Sequence, residues 1–129
     1  MSTRPKCAKT ILVVDDEDPI RKLTTKVLKQ AGYSVLEARD PTEAWRIWSR
    51  DRETIDLLFT DIIMPMMSGP EMAREFALMR PGLKIIFATG SSRLLVRETM
   101  DLIAHNRFLE KPYTPKELKD AVASAFSED

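Results

Sequence analysis

Apolar residues along the chain fall into two alternating patterns. Short runs rich in β-branched residues are mostly apolar without interruption, as is typical of strands buried on both faces of a parallel sheet. They predict strands at 11–14, 34–38, 55–59, 83–88 and 107–109, the second being more alternating, as in an edge strand. Between them, apolar residues recur at helical spacing, so the pattern predicts strands and helices in alternation.

Start and stop signals give the predicted helices their bounds. Pro19 follows Asp18, which fits a helix with Asp18 as its N-cap, and Gly32 fits the end of that helix. Capping-box patterns begin at Asp40, Ser68 and Thr114. A further helix with weaker caps is predicted between residues 91 and about 104. The chain therefore repeats a strand-helix unit five times.

This alternation predicts an α/β fold with one doubly wound parallel sheet of five strands and helices on both faces. A length of 129 residues fits one domain. We assign residues 10–127 to that domain. Residues 1–9 are polar and basic, and we expect a flexible N-terminal tail there.

Composition narrows the possible functions. Twenty basic and twenty acidic residues give zero net charge, so no overall attraction to nucleic acid or to an anionic membrane is expected. No apolar run approaches the roughly 18 residues of a membrane span. Cys7 is the only cysteine, so no internal disulfide can form, which fits a cytoplasmic protein.

Acidic side chains follow two of the predicted strands. Asp15 and Asp16 come after the first strand, and Asp61 lies just past the third. Sites in open α/β sheets form at the carboxyl ends of strands, so three carboxylates converge if these strands are neighbours. Such a cluster is costly unless protons or a cation neutralise it, and hard oxygen ligands suit Mg²⁺. The alternative is that these acids simply cap the helices that follow.

Two more polar residues are expected at the same edge. Thr89 ends the fourth strand and Lys111 follows the fifth. A carboxylate nucleophile, a divalent cation, a hydroxyl and an ammonium are together the parts needed for phosphoryl transfer to an aspartate. Taken alone, each of the two residues also fits an ordinary turn or surface position.

The chain resembles a response-regulator receiver domain of bacterial two-component signalling. The matching segments are ILVVDDE, DLLFTDIIMP with the following MSG, FATGS, and FLEKPY, in the family's order. The resemblance covers roughly residues 10 to 127. It implies a flavodoxin-like sheet with the strand order 2-1-3-4-5.

The resemblance also implies a role for each acidic residue of the cluster. Asp61 matches the phosphoacceptor. Asp15 and Asp16 match the pair that organises Mg²⁺ with Asp61, and the backbone carbonyl of Ile63 would be a further ligand. Because the Ile63 side chain cannot orient an attacking water, we expect slow self-dephosphorylation.

The remaining roles concern phosphoryl binding and switching. Thr89 matches the hydroxyl that binds a phosphoryl oxygen, and Lys111 matches the lysine that pairs with the carboxylate or phosphoryl group. The bond before Pro112 is commonly cis in the family. Phe108 matches the switch aromatic, although an ordinary core ring fits it equally well. The switched surface would comprise the predicted helix at 91–104, the fifth strand and the last helix.

Several functions remain open on the sequence. The leading prediction is a phospho-accepting receiver that takes a phosphoryl group from a sensor histidine kinase or a phosphotransfer protein and acts on an unknown downstream protein, without binding nucleic acid or membrane. A receiver excised from a hybrid sensor kinase fits as well. A turnover enzyme with an aspartyl nucleophile needs a second acid where Ile63 stands. A binding-only pseudo-receiver usually lacks one of the acids or the lysine, and this chain keeps them all.

Overall fold

A computed structural model describes residues 8–64, 67–90 and 107–127. Five strands form one parallel sheet in the order β2-β1-β3-β4-β5. The strands are β1 (Thr10–Val14), β2 (Ser34–Ala38), β3 (Leu57–Asp61), β4 (Lys84–Thr89) and β5 (Arg107–Glu110). The described helices are α1 (Asp18–Gln30), α2 (Pro41–Asp51), α3 (Gly69–Met79) and α4 (Pro115–Ser127). The predicted fold class and strand order are confirmed; the helix predicted at 91–104 and most of the N-terminal tail lie outside the described residues.

Successive side chains of the three central strands point to opposite faces of the sheet, and each face has its own core. One core joins the sheet to α2 and α3, where Trp48 stacks on Phe76 with ring centroids 4.1 Å apart. The other joins it to α1 and α4 through residues such as Leu28 and Val122. Burial on both faces explains why the polar residues of these strands are confined to the strand ends.

Most predicted helix ends agree with the structure. Side chains of Asp40, Ser68 and Thr114 accept hydrogen bonds from backbone N–H groups three residues later. Gly32 follows α1 with a φ of 103°, a conformation that glycine adopts without steric cost.

The predicted N-cap of α1 is wrong. Glu17, and not Asp18, occupies the cap position, and the Glu17 side chain makes no capping hydrogen bond. Asp18 lies in the first turn, where its carboxylate pairs with Arg21 at 2.7 Å. The backbone turns helical one residue earlier than predicted, because the extended cap conformation falls on Glu17.

The third strand was predicted two residues too early. Residues 55 and 56 precede β3, and the strand continues through Thr60 to Asp61. Thr60 and Asp61 stay in the sheet because β4 pairs with both of them, in register with Phe87 and Ala88. Asp61 is therefore the last residue of β3, a central strand, and its backbone is paired with β4.

Candidate functional site

The site lies at the carboxyl edge of the sheet, where β1 and β3 are neighbours and lead to their acidic residues. Asp15 follows β1 and is only 2% exposed. Its Oδ1 accepts the backbone N–H of Glu17 at 2.9 Å, and its Oδ2 pairs with Lys111 Nζ at 2.9 Å. Both carboxylate oxygens of Asp15 are therefore engaged within the protein, whereas Asp16 is exposed at the border of the site.

The backbone of Asp61 packs against the start of α3. Its carboxylate is at the end of a central strand and the residue is 8% exposed. Gly69 packs directly against the Asp61 backbone, so that a Cβ on Gly69 would overlap the Asp61 carbonyl oxygen. Gly69 N–H also donates to the Ile62 carbonyl at 2.9 Å. Only glycine allows α3 to approach this closely, and the contact fixes the Asp61 backbone.

Lys111 enters the site from the loop after β5. The Lys111–Pro112 peptide bond is cis, as predicted, and Lys111 N–H donates to the Thr89 carbonyl at 2.8 Å. The ammonium lies 3.2 Å from Asp61 Oδ2. Burial opposes the charge, but hydrogen bonds to Asp15 and Glu17 and the negative charge of Asp61 raise the pKa of Lys111. Lys111 is thus a fixed cation at neutral pH.

The three aspartates predicted to converge do so. One oxygen from each of Asp15, Asp16 and Asp61 lies within 4.8 Å of the others. Burial raises the pKa of Asp61 to about 6; Lys111 opposes this rise, and the charges of Asp15 and Asp16 add to it. Three hard oxygen donors that repel one another fit a small divalent cation such as Mg²⁺.

An open cavity of about 260 Å³ lies over this cluster. Its walls carry acids, the lysine, a hydroxyl and two loop residues: Asp16, Glu17, Asp61, Ile63, Thr89, Gly90 and Lys111. Thr89 is buried at the end of β4, and a Cβ on the neighbouring Gly90 would touch the Lys111 side chain. Acidic side chains therefore line one part of the cavity, and Lys111 supplies a cationic group that an incoming anion could contact.

The predicted switch aromatic lies outside this cavity. Phe108 is 41% exposed on β5, in register with Phe87 of β4. The ordinary core position considered for this ring is wrong, because edge strand β5 leaves Phe108 open to solvent among the described residues.

Sequence reasoning missed three supports of the site. Glu17 pairs with Lys111 at 3.0 Å, and Arg21, buried in α1, donates to the Asp15 carbonyl at 3.0 Å. Tyr113 shares a 2.7 Å hydrogen bond with Thr24, which ties the Lys111 loop to α1. Helical spacing from Asp18 to Arg21 was the only available signal for the arginine. Nothing in the sequence pairs Glu17 with a lysine 94 positions away.

Together, the sheet and its carboxyl edge define a doubly wound α/β protein in which three aspartates that could hold a divalent cation lie beside a cavity lined by Lys111. The chain belongs to the response regulator receiver domain family, whose model matches residues 11–123. No helix in the described ranges has both the length and the apolar character needed to cross a bilayer.

Named relatives differ in how much of their length this chain covers. It is 34% identical over 113 residues to the sensor kinase CckA of Brucella abortus (strain 2308), an alignment with 88% of this chain and 12% of the kinase. It is 32% identical over 114 residues to the response regulator receiver protein CpdR of the same organism, covering 88% of this chain and 93% of CpdR. The chain thus spans nearly all of one relative and a small part of the other.

Solved structures share the fold. The response regulator protein TrrA of Thermotoga maritima, in complex with Mg²⁺-BeF, superposes with a TM-score of 0.79 at 34% identity. That match covers 91% of this chain and 98% of TrrA.

Proposed function

We propose that this chain accepts a phosphoryl group on Asp61 from the phosphohistidine of a histidine kinase or a phosphotransfer protein. The observation that carries the proposal is the position of Asp61, which lies beside Asp15 and Asp16 and 3.2 Å from Lys111 at the floor of an open cavity. Membership in the receiver family supports the same reaction.

In the transfer, a carboxylate oxygen of Asp61 forms a bond to phosphorus while the bond from phosphorus to the histidine nitrogen breaks. A pKa of about 6 leaves Asp61 mostly ionised at neutral pH, so no separate base is needed. Lys111 and Thr89 line the cavity beside it, and we assign them to the phosphoryl oxygens. Catalysis is then positioning and charge neutralisation.

We assign Mg²⁺ to Asp15, Asp16, Asp61 and the backbone carbonyl of Ile63. Oxygens of the three aspartates lie within 4.8 Å of one another, and Ile63 borders the adjoining cavity. The Asp15 oxygens also contact the Glu17 N–H and Lys111, and a carboxylate oxygen can accept a further contact. The cation would offset the charge of the acids and of the phosphoryl group. The Mg²⁺-BeF complex of the similar TrrA supports this assignment.

For the output, we propose a switch between two packings. Thr89 would draw toward the phosphoryl group, and Phe108, now exposed, would turn into the space that Thr89 leaves. Phenylalanine lacks the hydroxyl of tyrosine, so the toggle would be steric alone. The signal would then pass to a downstream protein through the surface around β5 and α4.

Two contexts fit this function. The extensive match to CpdR favours a stand-alone regulator, and the match to a segment of the sensor kinase CckA favours a receiver within a hybrid kinase. In both, the chain promotes its own phosphorylation and is not a turnover enzyme.

Incubation with acetyl phosphate and Mg²⁺, followed by intact-mass measurement, tests the proposal. We expect one phosphoryl adduct on the wild type and on the control Asp120→Asn, whose carboxylate is exposed on α4. Asp61→Asn should carry none. Continuous phosphate release without an adduct would instead indicate an enzyme, and no reaction at all would indicate a binding-only domain.

A further inference from the structure

Glu17 contacts the cationic group of the site without belonging to the acidic triad. Its carboxylate lies 3.0 Å from Lys111 Nζ at the border of the cavity, and its side chain is 56% exposed. The same ammonium also contacts Asp15 at 2.9 Å and Asp61 at 3.2 Å. A lysine ammonium has three N–H donors, so these three carboxylates engage its full donor capacity.

A phosphoryl oxygen can therefore bond to Lys111 only if one carboxylate gives up its place. Asp15 is buried, and losing Lys111 would leave its charge poorly compensated. Asp61 itself carries the phosphoryl group. Glu17 is the partner that can return to water at least cost, because its side chain is already largely solvated.

The backbone around Glu17 allows this exchange. Glu17 N–H donates to Asp15 Oδ1 at 2.9 Å, and the Glu17 carbonyl accepts from Arg21 N–H at 2.9 Å. The Glu17 side chain makes no capping bond to α1. Its carboxylate can thus swing away from Lys111 while the main chain and the start of α1 stay in place.

We propose that Glu17 is a positioning residue that holds Lys111 in the unphosphorylated protein and yields it to the incoming phosphoryl group. This inference rests on the proposed function. Because Glu17 competes for Lys111, it weakens the binding of phosphoryl donors and analogues at the same cavity. It sets the donor concentration at which the site responds.

Glu17→Gln removes the competing charge and keeps the shape of the side chain. At saturating Mg²⁺ we expect beryllofluoride to bind about two- to fivefold more tightly, the range given by a partly exposed ion pair. The half-saturating concentration of acetyl phosphate should fall by the same factor, while the maximal phosphorylation rate stays unchanged. If Glu17 had only a structural role, its replacement would not lower the half-saturating concentration while leaving the maximal rate unchanged.

Two further variants sharpen the test. Glu53→Gln makes the same charge change in an exposed turn after α2 and should match the wild type. Glu17→Asp keeps the charge near the cavity but is one methylene shorter. If reach to Lys111 is what matters, Glu17→Asp should resemble Glu17→Gln; if it resembles the wild type, competition for Lys111 is ruled out.

The readout is beryllofluoride titration followed by fluorine NMR, with thermal midpoints measured in parallel as a check of folding. Absence of beryllofluoride binding and of phosphorylation in the wild type would contradict the proposed function itself. A wild type that binds, together with a Glu17→Gln variant that binds equally or more weakly, would contradict only the role of Glu17.

Discussion

The two ends of the sheet use charge in opposite ways. At the amino-terminal end, Asp56 accepts the Thr10 N–H at 2.9 Å and lies 3.5 Å from Arg80. Arg80 also donates to the backbone carbonyls of Ile55 and Arg52. One acid and one base therefore satisfy each other and the backbone around them, as expected of a purely structural ion pair.

At the carboxyl end, Asp15, Asp16 and Asp61 lie close together, Lys111 pairs with Asp15 and Asp61, and the pKa of Asp61 rises to about 6. Here the charges exceed what the protein itself neutralises. The difference fits a structural role for the amino-terminal end and the proposed ligand-binding role for the carboxyl end, because shifted pKa values cluster at functional sites. The predictions that follow test this contrast.

The largest effect is expected at the amino-terminal end. Arg80→Met removes the donors to two carbonyls and to Asp56, and we expect the free energy of unfolding to fall by about 2 to 3 kcal/mol. Urea titration measures it. Arg74→Met, on the exposed side of α3, is the matched control and should change stability little. Equal losses in both variants would remove the special role of this ion pair.

At the carboxyl end the sign should reverse. Without Mg²⁺, we expect Asp61→Asn to raise the free energy of unfolding by about 1 to 2 kcal/mol at pH 7.5, because a neutral side chain relieves the repulsion and desolvation that raise the pKa of Asp61. Urea titration at several pH values measures it.

The pH dependence follows from the direction of that shift. The folded protein binds the Asp61 proton more tightly than the unfolded chain does. Ionised Asp61 therefore destabilises the fold, and the effect is complete only at pH values above its raised pKa of about 6. The advantage of Asp61→Asn should therefore shrink as the pH falls from about 7 to about 4. A constant advantage, or a loss of stability at pH 7.5, would contradict the electrostatic contrast between the two ends.

A smaller effect concerns the lifetime of the phosphorylated state. Ile63 borders the cavity with an apolar side chain that cannot orient water. We expect Ile63→Asn to speed hydrolysis of the acyl phosphate about fivefold, equivalent to about 1 kcal/mol in the barrier. Loss of the phosphoryl mass over time measures it, with Ile63→Val as the control that should match the wild type. Rapid decay of the wild type in Mg²⁺ would also contradict this role.

The carboxyl end of the sheet, but not the ion pair at its amino-terminal end, could be predicted from the sequence. Apolar runs ending in acids placed Asp15 and Asp61 at one edge, since parallel strands align their carboxyl ends. The start of α3 could be predicted from the capping box at Ser68, which depends only on residues three positions apart. These features depend on neighbours along the chain or on a general rule of the fold.

The remaining features depend on tertiary contacts that no local pattern encodes. The approach of Gly69 to the Asp61 carbonyl requires α3 to be packed against β3. Along the chain Glu17 is one more acid in a run, and it becomes an ion-pair partner only because the loop after β5 brings Lys111 beside it. The offset of β3 likewise arises because β4 pairs with its polar end.

The central claim is that the acidic cluster at the carboxyl edge binds Mg²⁺. Calorimetric titration with Mg²⁺ tests it most directly. We predict saturable binding at one site in the wild type, and loss of that binding in both Asp16→Asn and Asp61→Asn. The control Asp56→Asn, at the opposite end of the sheet, should still bind if it is folded. No saturable heat in the wild type, or equal binding in Asp16→Asn, would contradict the account.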